Sequence, residues 1–100
     1  PTGLVAVQEG AAVRLFWDPN PERDVAGYRV ERRPVGGEWR AIGSDRIETP
    51  SFLDSGLSVG ARVQYRVRAI DRAEPVNVGE PSEIFEVELV AEPVAPGPAE

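Results

Sequence analysis

One hundred residues, 41% of them hydrophobic and 28% charged, have the make-up of one globular domain that buries roughly 60–65% of the surface its unfolded chain exposes. A net charge of −6 argues against a nucleic-acid partner, whose phosphates call for a basic surface. With no cysteine and no histidine, disulfides, thiolate metal sites and an imidazole base are all excluded, and the apolar core must hold the fold alone.

All eleven basic residues are arginine. A GC-rich coding sequence or selection for planar, bidentate ion pairs would each give that bias. The chain does not start with methionine and carries neither a signal peptide nor an apolar run of about 18 residues. It is therefore expected to be a piece of a longer protein and not to insert into a membrane.

Pro1-Thr2-Gly3 reads as an incoming linker and Leu4–Gln8 as a first strand with Leu4 and Ala6 inward. Glu9-Gly10 is a turn signal. From Ala12 to Trp17 the apolar residues Val13, Leu15 and Trp17 fall on alternate positions, which places them on one face of a second strand with Arg14 and Phe16 on the other. Pro19 and Pro21 fix φ and lack an amide hydrogen, so Asp18–Ala26 is expected as a stiff crossing loop. Tyr28–Arg33 forms a third strand with Tyr28 and Val30 inward, and Pro34–Gly37 a turn.

Glu38–Ile42 reads as a short fourth strand, Gly43–Glu48 as a polar turn, and Ser51–Asp54 as a fifth strand with Phe52 inward. A bend follows over Ser55–Gly60. The clearest alternation is Arg62–Ile70: Val63, Tyr65, Val67 and Ala69 take one face, Arg62, Gln64, Arg66 and Arg68 the other, as an antiparallel sheet over a core requires. Asp71–Pro81 is expected as a long loop, and Glu83–Val90 as the last strand with Phe85, Val87 and Leu89 inward. Residues 91–100 are rich in proline and alanine and read as a semi-rigid linker after a domain covering residues 1–90.

Short strands at about ten-residue spacing, without helical periodicity, indicate an all-β fold: a seven-stranded antiparallel β-sandwich. Trp17, Tyr28, Tyr65, Phe85 and Leu57 are its expected large core members.

The order of Pro1-Thr2-Gly3-Leu4, Val13–Trp17, Gly27-Tyr28-Arg29-Val30, Leu57 with Gly60, Tyr65–Ala69 and Gly79-Glu80-Pro81-Ser82 resembles the fibronectin type III domain, across the chain to about Val90. Asn20–Tyr28 is similar to bacterial members, which implies an exported, periplasmic or envelope setting. The resemblance implies an immunoglobulin-like sandwich of a three-strand and a four-strand sheet. In it strand 62–70 lies between 28–33 and 83–90. One departure stands out. The family's corner tyrosine, whose hydroxyl ties the preceding bend, aligns with Val63, so either that bond is absent or Tyr65 makes a shifted version of it.

Asp18, Asn20, Glu22 and Asp24 imitate the opening of a calcium loop, but Arg23 and Arg29 stand where an EF-hand needs glycine and a bidentate glutamate. No acid sits at a core-facing strand position where burial would prepare it for acid–base work, so no catalytic residue and no cofactor or metal site is assigned. On the outward face of the larger sheet, Arg66 and Arg68 are expected between Glu31 on one side and Glu86 and Glu88 on the other. Such a ladder is a solubilising surface or one that grips acidic groups on a partner. Val76 and Val78 are the apolar residues of the long loop. These four, Arg66, Arg68, Val76 and Val78, are the candidate partner contacts. There is no Arg-Gly-Asp. The expected role is a non-catalytic module that spaces neighbouring domains of the same polypeptide and offers a surface to a protein partner. The alternative is an accessory domain of a polysaccharide-degrading enzyme, for which Trp39 and Phe16 are the only aromatic platforms.

Overall fold

The computed structural model describes residues 2–19, 25–71 and 78–90. They form β1 (Thr2–Glu9), β2 (Ala12–Asp18), β3 (Val25–Pro34), β4 (Arg40–Ile47), β5 (Ser51–Asp54), β6 (Arg62–Asp71), β7 (Val78–Pro81) and β8 (Phe85–Glu88). One sheet has the order β1-β2-β5. The other runs β4-β3-β6, with β7 and β8 both paired to the far side of β6. Every pairing is antiparallel.

The alternation in the sequence sets the core. Val13, Leu15 and Trp17 from β2 meet Tyr28 and Val30 from β3 and Val63, Tyr65 and Val67 from β6, all buried. Trp17 and Tyr28 pack edge to face, ring centroids 5.4 Å apart at 68°, a geometry that contributes about 0.5–1.5 kcal/mol beyond area burial. Phe85 and Leu57 are only half-buried at the margin, and Ile47 and Leu89 are buried in the cluster. The turn from β3 to β4 is closed by Gly37 N donating to Pro34 O at 2.7 Å, with Gly36 at φ 83°, a torsion that favours glycine.

Three expectations need correction. Gly43–Glu48, read as a turn, lies inside β4 up to Ile47. Val30 faces Ile42 and Tyr28 faces Ile47, so two steps along β3 match five along β4. The polar stretch is a bulge within the strand, opened by Gly43 at φ 73°. Trp39, conversely, precedes the strand and does not belong to it.

Val78–Pro81, read as the end of a loop, is strand β7, with Ile70 facing Val78 and Arg68 facing Pro81. The expected last strand, Glu83–Val90, is β8 over Phe85–Glu88, preceded on the same side of β6 by this additional piece, so the seven expected strands are eight segments. Ser82 is the joint. Its backbone N–H donates to Val67 O at 2.7 Å, while Val67 N–H donates to Ser82 Oγ at 2.9 Å, a side chain standing in for the ladder acceptor.

Candidate interaction surfaces

The outward face of the larger sheet carries the charged residues picked out by alternation. Glu31 faces Arg66 across the β3–β6 ladder. Its Oε1 accepts from Arg66 Nε at 2.6 Å and from Arg68 Nε at 3.0 Å. Burial alone would raise the Glu31 pKa, but the two guanidinium groups outweigh it and hold the carboxyl below its ordinary value. Arg66 also lies over the Trp39 ring, 4.2 Å from its centroid, and Arg33 lies 4.5 Å from the same centroid. Arg68 Nη1 donates to Gly79 O at 2.9 Å. Arg29, opposite Arg68, keeps its Nε buried without a hydrogen-bond partner.

The expected two-sided ladder forms on one side only. The register sets Glu86 beside Gln64 and Glu88 beside Arg62, short of Arg66 and Arg68. Glu86 accepts from Gln64 and from Arg62, at 3.0 and 3.1 Å, and those bonds lower its pKa. The reason is the Ser82 joint. Where β8 would have continued beside Arg66 and Arg68, β7 takes its place, with Pro81 opposite Arg68. Arg66 and Arg68 are therefore held by Glu31, Trp39 and a backbone carbonyl and keep only part of their surface open. Val78 is 38% exposed on β7. Val76 and the loop positions Asn20, Glu22 and Asp24 lie outside the described residues. Of the two platform candidates, Phe16 is 44% exposed and Trp39 lies under guanidinium planes. Among the described residues no group of three or more His, Cys, Asp or Glu gathers as a metal site.

A second polar group was missed by sequence reading. Asp54, at the end of β5, is 5% exposed and accepts from Arg32 Nη1 with both carboxylate oxygens, at 2.6 and 2.7 Å. The Tyr65 hydroxyl donates to Asp54 Oδ2 at 2.6 Å. Burial first, and then this bond, push the Tyr65 pKa far above its ordinary value. The bond is the shifted corner: Tyr65 ties the strand end before the bend, through a side chain and not through backbone. The signal was present, because Arg32 shares parity with Val30, and Asp54 with Phe52, so both point inward.

The two ends of the domain are also fixed. Thr2 pairs with Asp18 at one pole, and Leu4 N–H donates to Glu83 Oε1 at 2.9 Å. At the other pole Gln8 clasps the outgoing backbone: its Nε2 donates to Val90 O at 2.7 Å and its Oε1 accepts from Val90 N–H at 3.1 Å.

No family model matches the chain. Cardiac-type myosin-binding protein C of Homo sapiens is 41% identical over an 83-residue alignment that takes in 75% of this chain and 6% of that protein. The chain thus spans a small fraction of the curated relative it matches. Among solved structures, an Fn3-like protein from Clostridium thermocellum superposes with a TM-score of 0.75 at 25% identity, covering 92% of this chain and 93% of that one. The twitchin kinase region of C. elegans matches at a TM-score of 0.71 and 22% identity, over 84% of this chain and 15% of that one. Titin kinase with its flanking domains matches at 0.74 and 20%, over 89% and 16%. Two facing antiparallel sheets, the split last strand and these likenesses lead to one assignment: the chain belongs to the fibronectin type III family.

Proposed function

We propose that the domain is a non-catalytic module that spaces its neighbours in a longer polypeptide and presents a charged sheet face to a protein partner. The observation that carries this is the placement of the ends. β1 starts at Thr2 at one pole and reaches Gln8 beside the outgoing Val90 at the other, about 20 Å farther along the strand. A module with its ends at opposite poles adds its length to a chain. The matches to the twitchin and titin kinase regions support a setting among other domains, since this chain covers 15% and 16% of them.

The parent protein is read as bacterial and exported, supported by the Asn20–Tyr28 resemblance and the likeness to the Clostridium protein. Arg66, Arg68 and Val78 remain the proposed contacts on the sheet face, with Val76 beside them in sequence.

The test uses two labels and one exchange. The chain has no cysteine, so a Thr2→Cys, Val90→Cys variant takes spin labels at those two sites alone. Their separation should be about 20 Å or more, and ends much closer than that would sink the spacer reading. Exchanging the domain in its parent for an unrelated sandwich of equal length should preserve the parent's activity if spacing is the whole role. Loss on exchange, reproduced by Arg66→Glu with Arg68→Glu in the intact domain, assigns the contact role to that face.

A further inference from the structure

A cleft of about 450 Å³ opens on the β3–β4 hairpin. It is lined by Arg32, Pro34, Glu38, Arg40, Ala41 and Ile42. All six come from β3, β4 and the turn between them, so the facing sheet contributes nothing to its wall. Arg32 and Arg40 stand opposite each other across the ladder. Like charges so placed destabilise a sheet unless an anion lies between them. Only one of the two is compensated. Arg32 gives Nη1 to Asp54, whereas Arg40 is exposed and has no ion pair among the described residues. Glu38 also lines the cleft and pairs with neither guanidinium.

We propose that this cleft binds a single carboxylate, carried by an acidic, extended segment of a partner polypeptide. Arg40, opposite Arg32 across the ladder and without an ion pair among the described residues, offers a planar guanidinium fork of the kind that takes a carboxylate in bidentate fashion. Three further observations narrow the ligand. Pro34, Ala41 and Ile42 supply apolar wall, which suits an organic acid with apolar neighbours better than a bare inorganic ion. Glu38 opposes a second negative charge, and the overall charge of −6 opposes a polyanion. β4 is the outer strand of its sheet, so the backbone at Arg40–Ile42 has one unpaired side on which an extended segment can lie. The segment fitting these features carries glutamate with apolar residues two positions away on each side, all three facing the cleft.

The experiment is an amide and arginine-Nε NMR titration of the labelled full chain with the capped peptide Val-Thr-Glu-Thr-Val, its glutamine analogue, and inorganic phosphate at matched ionic strength. The glutamate peptide should give saturable shifts at Arg32, Arg40 and Ile42 with a midpoint of about 1 mM, and the glutamine peptide should bind at least about tenfold more weakly. Arg40→Gln should abolish that tenfold preference, and Arg40→Lys, which keeps the charge without the fork, should retain part of it. Equal binding of the two peptides, phosphate binding as tightly as the glutamate peptide, unchanged preference in Arg40→Gln, or no saturable shift up to about 10 mM would each overturn the proposal. If Arg40→Gln does not fold, the glutamate–glutamine comparison on the unaltered chain decides alone.

Discussion

The domain contains the same three-body motif twice, one carboxylate shared by two donors, and the two copies do different things. Asp54 with Arg32 and Tyr65 lies between the sheets, its carboxylate cut off from water. Glu31 with Arg66 and Arg68 lies on the outside of one sheet, with the two arginine side chains 19% and 23% exposed. The inner group connects β5 of one sheet to β3 and β6 of the other, so it fixes how the sheets sit. The outer group connects only β3 to β6, which the ladder already joins. Depth and connectivity, not the number of hydrogen bonds, decide which one the fold depends on.

Breaking the inner group should have the largest effect. Asp54→Ala leaves a guanidinium and a hydroxyl facing the core without an acceptor and should cost about 3–5 kcal/mol by chemical denaturation. A loss as small as that of an exposed ion pair would refute the division drawn here. Tyr65→Phe removes one donor and keeps the Arg32–Asp54 pair, for a cost of about 1–2 kcal/mol. It should also change the alkaline limb. A tyrosine whose folded pKa is raised contributes stability that is fully present below about pH 10 and is lost as the pH rises further. Stability measured against pH should therefore lose less above pH 10 in Tyr65→Phe than in the unaltered domain.

The outer group should respond to acid and salt. The Glu31 carboxyl is held below its ordinary value, so its contribution is present above about pH 4.5 and lost as the pH falls through the lower folded value. Glu31→Gln should cost about 1 kcal/mol at neutral pH and flatten the acid limb, and about 1 M NaCl should shrink that difference far more than it shrinks the Asp54→Ala difference. The smallest effect is expected at the outgoing end. Gln8→Ala should change global stability by about 0.5 kcal/mol or less while speeding hydrogen exchange at the Val90 amide, which local opening governs. An unchanged Val90 exchange rate would mean that the clasp does not hold in solution.

What the sequence made plain was whatever obeyed a period of two. Val13, Leu15, Trp17, Val63, Tyr65 and Val67 could be placed inward from spacing alone, and the structure buries every one. Three features broke that signal. The bulge at Gly43 inserts residues that no alternation can count, so the second half of β4 looked like a turn and buried Ile47 was not foreseen. Ser82 substitutes a hydroxyl for a backbone acceptor, so β7 and β8 are separate pieces and the register of Glu86 slipped away from Arg66. Arg32 and Asp54 kept the right parity but carried charge, and the expectation that no acid sits at a core-facing strand position overlooked Asp54, which ties the two sheets. The charged sheet face was legible by position. Its occupancy was not, because the stacking of Arg33 and Arg66 on Trp39 joins residues distant in sequence through a turn.

The placement of the ends has a mechanical meaning. Tension applied through both ends of the domain pulls β1 from its Thr2 end, along its own axis, while the opposite pole is drawn the other way through Val90. The hydrogen bonds between β1 and β2 then bear load side by side, in shear, and must yield together instead of opening one after another as in a zipper. The Gln8 clasp adds a second restraint, because it joins the strand pulled from one pole to the backbone pulled from the other. A domain tied in this way would resist extension along the line that joins Thr2 to Val90.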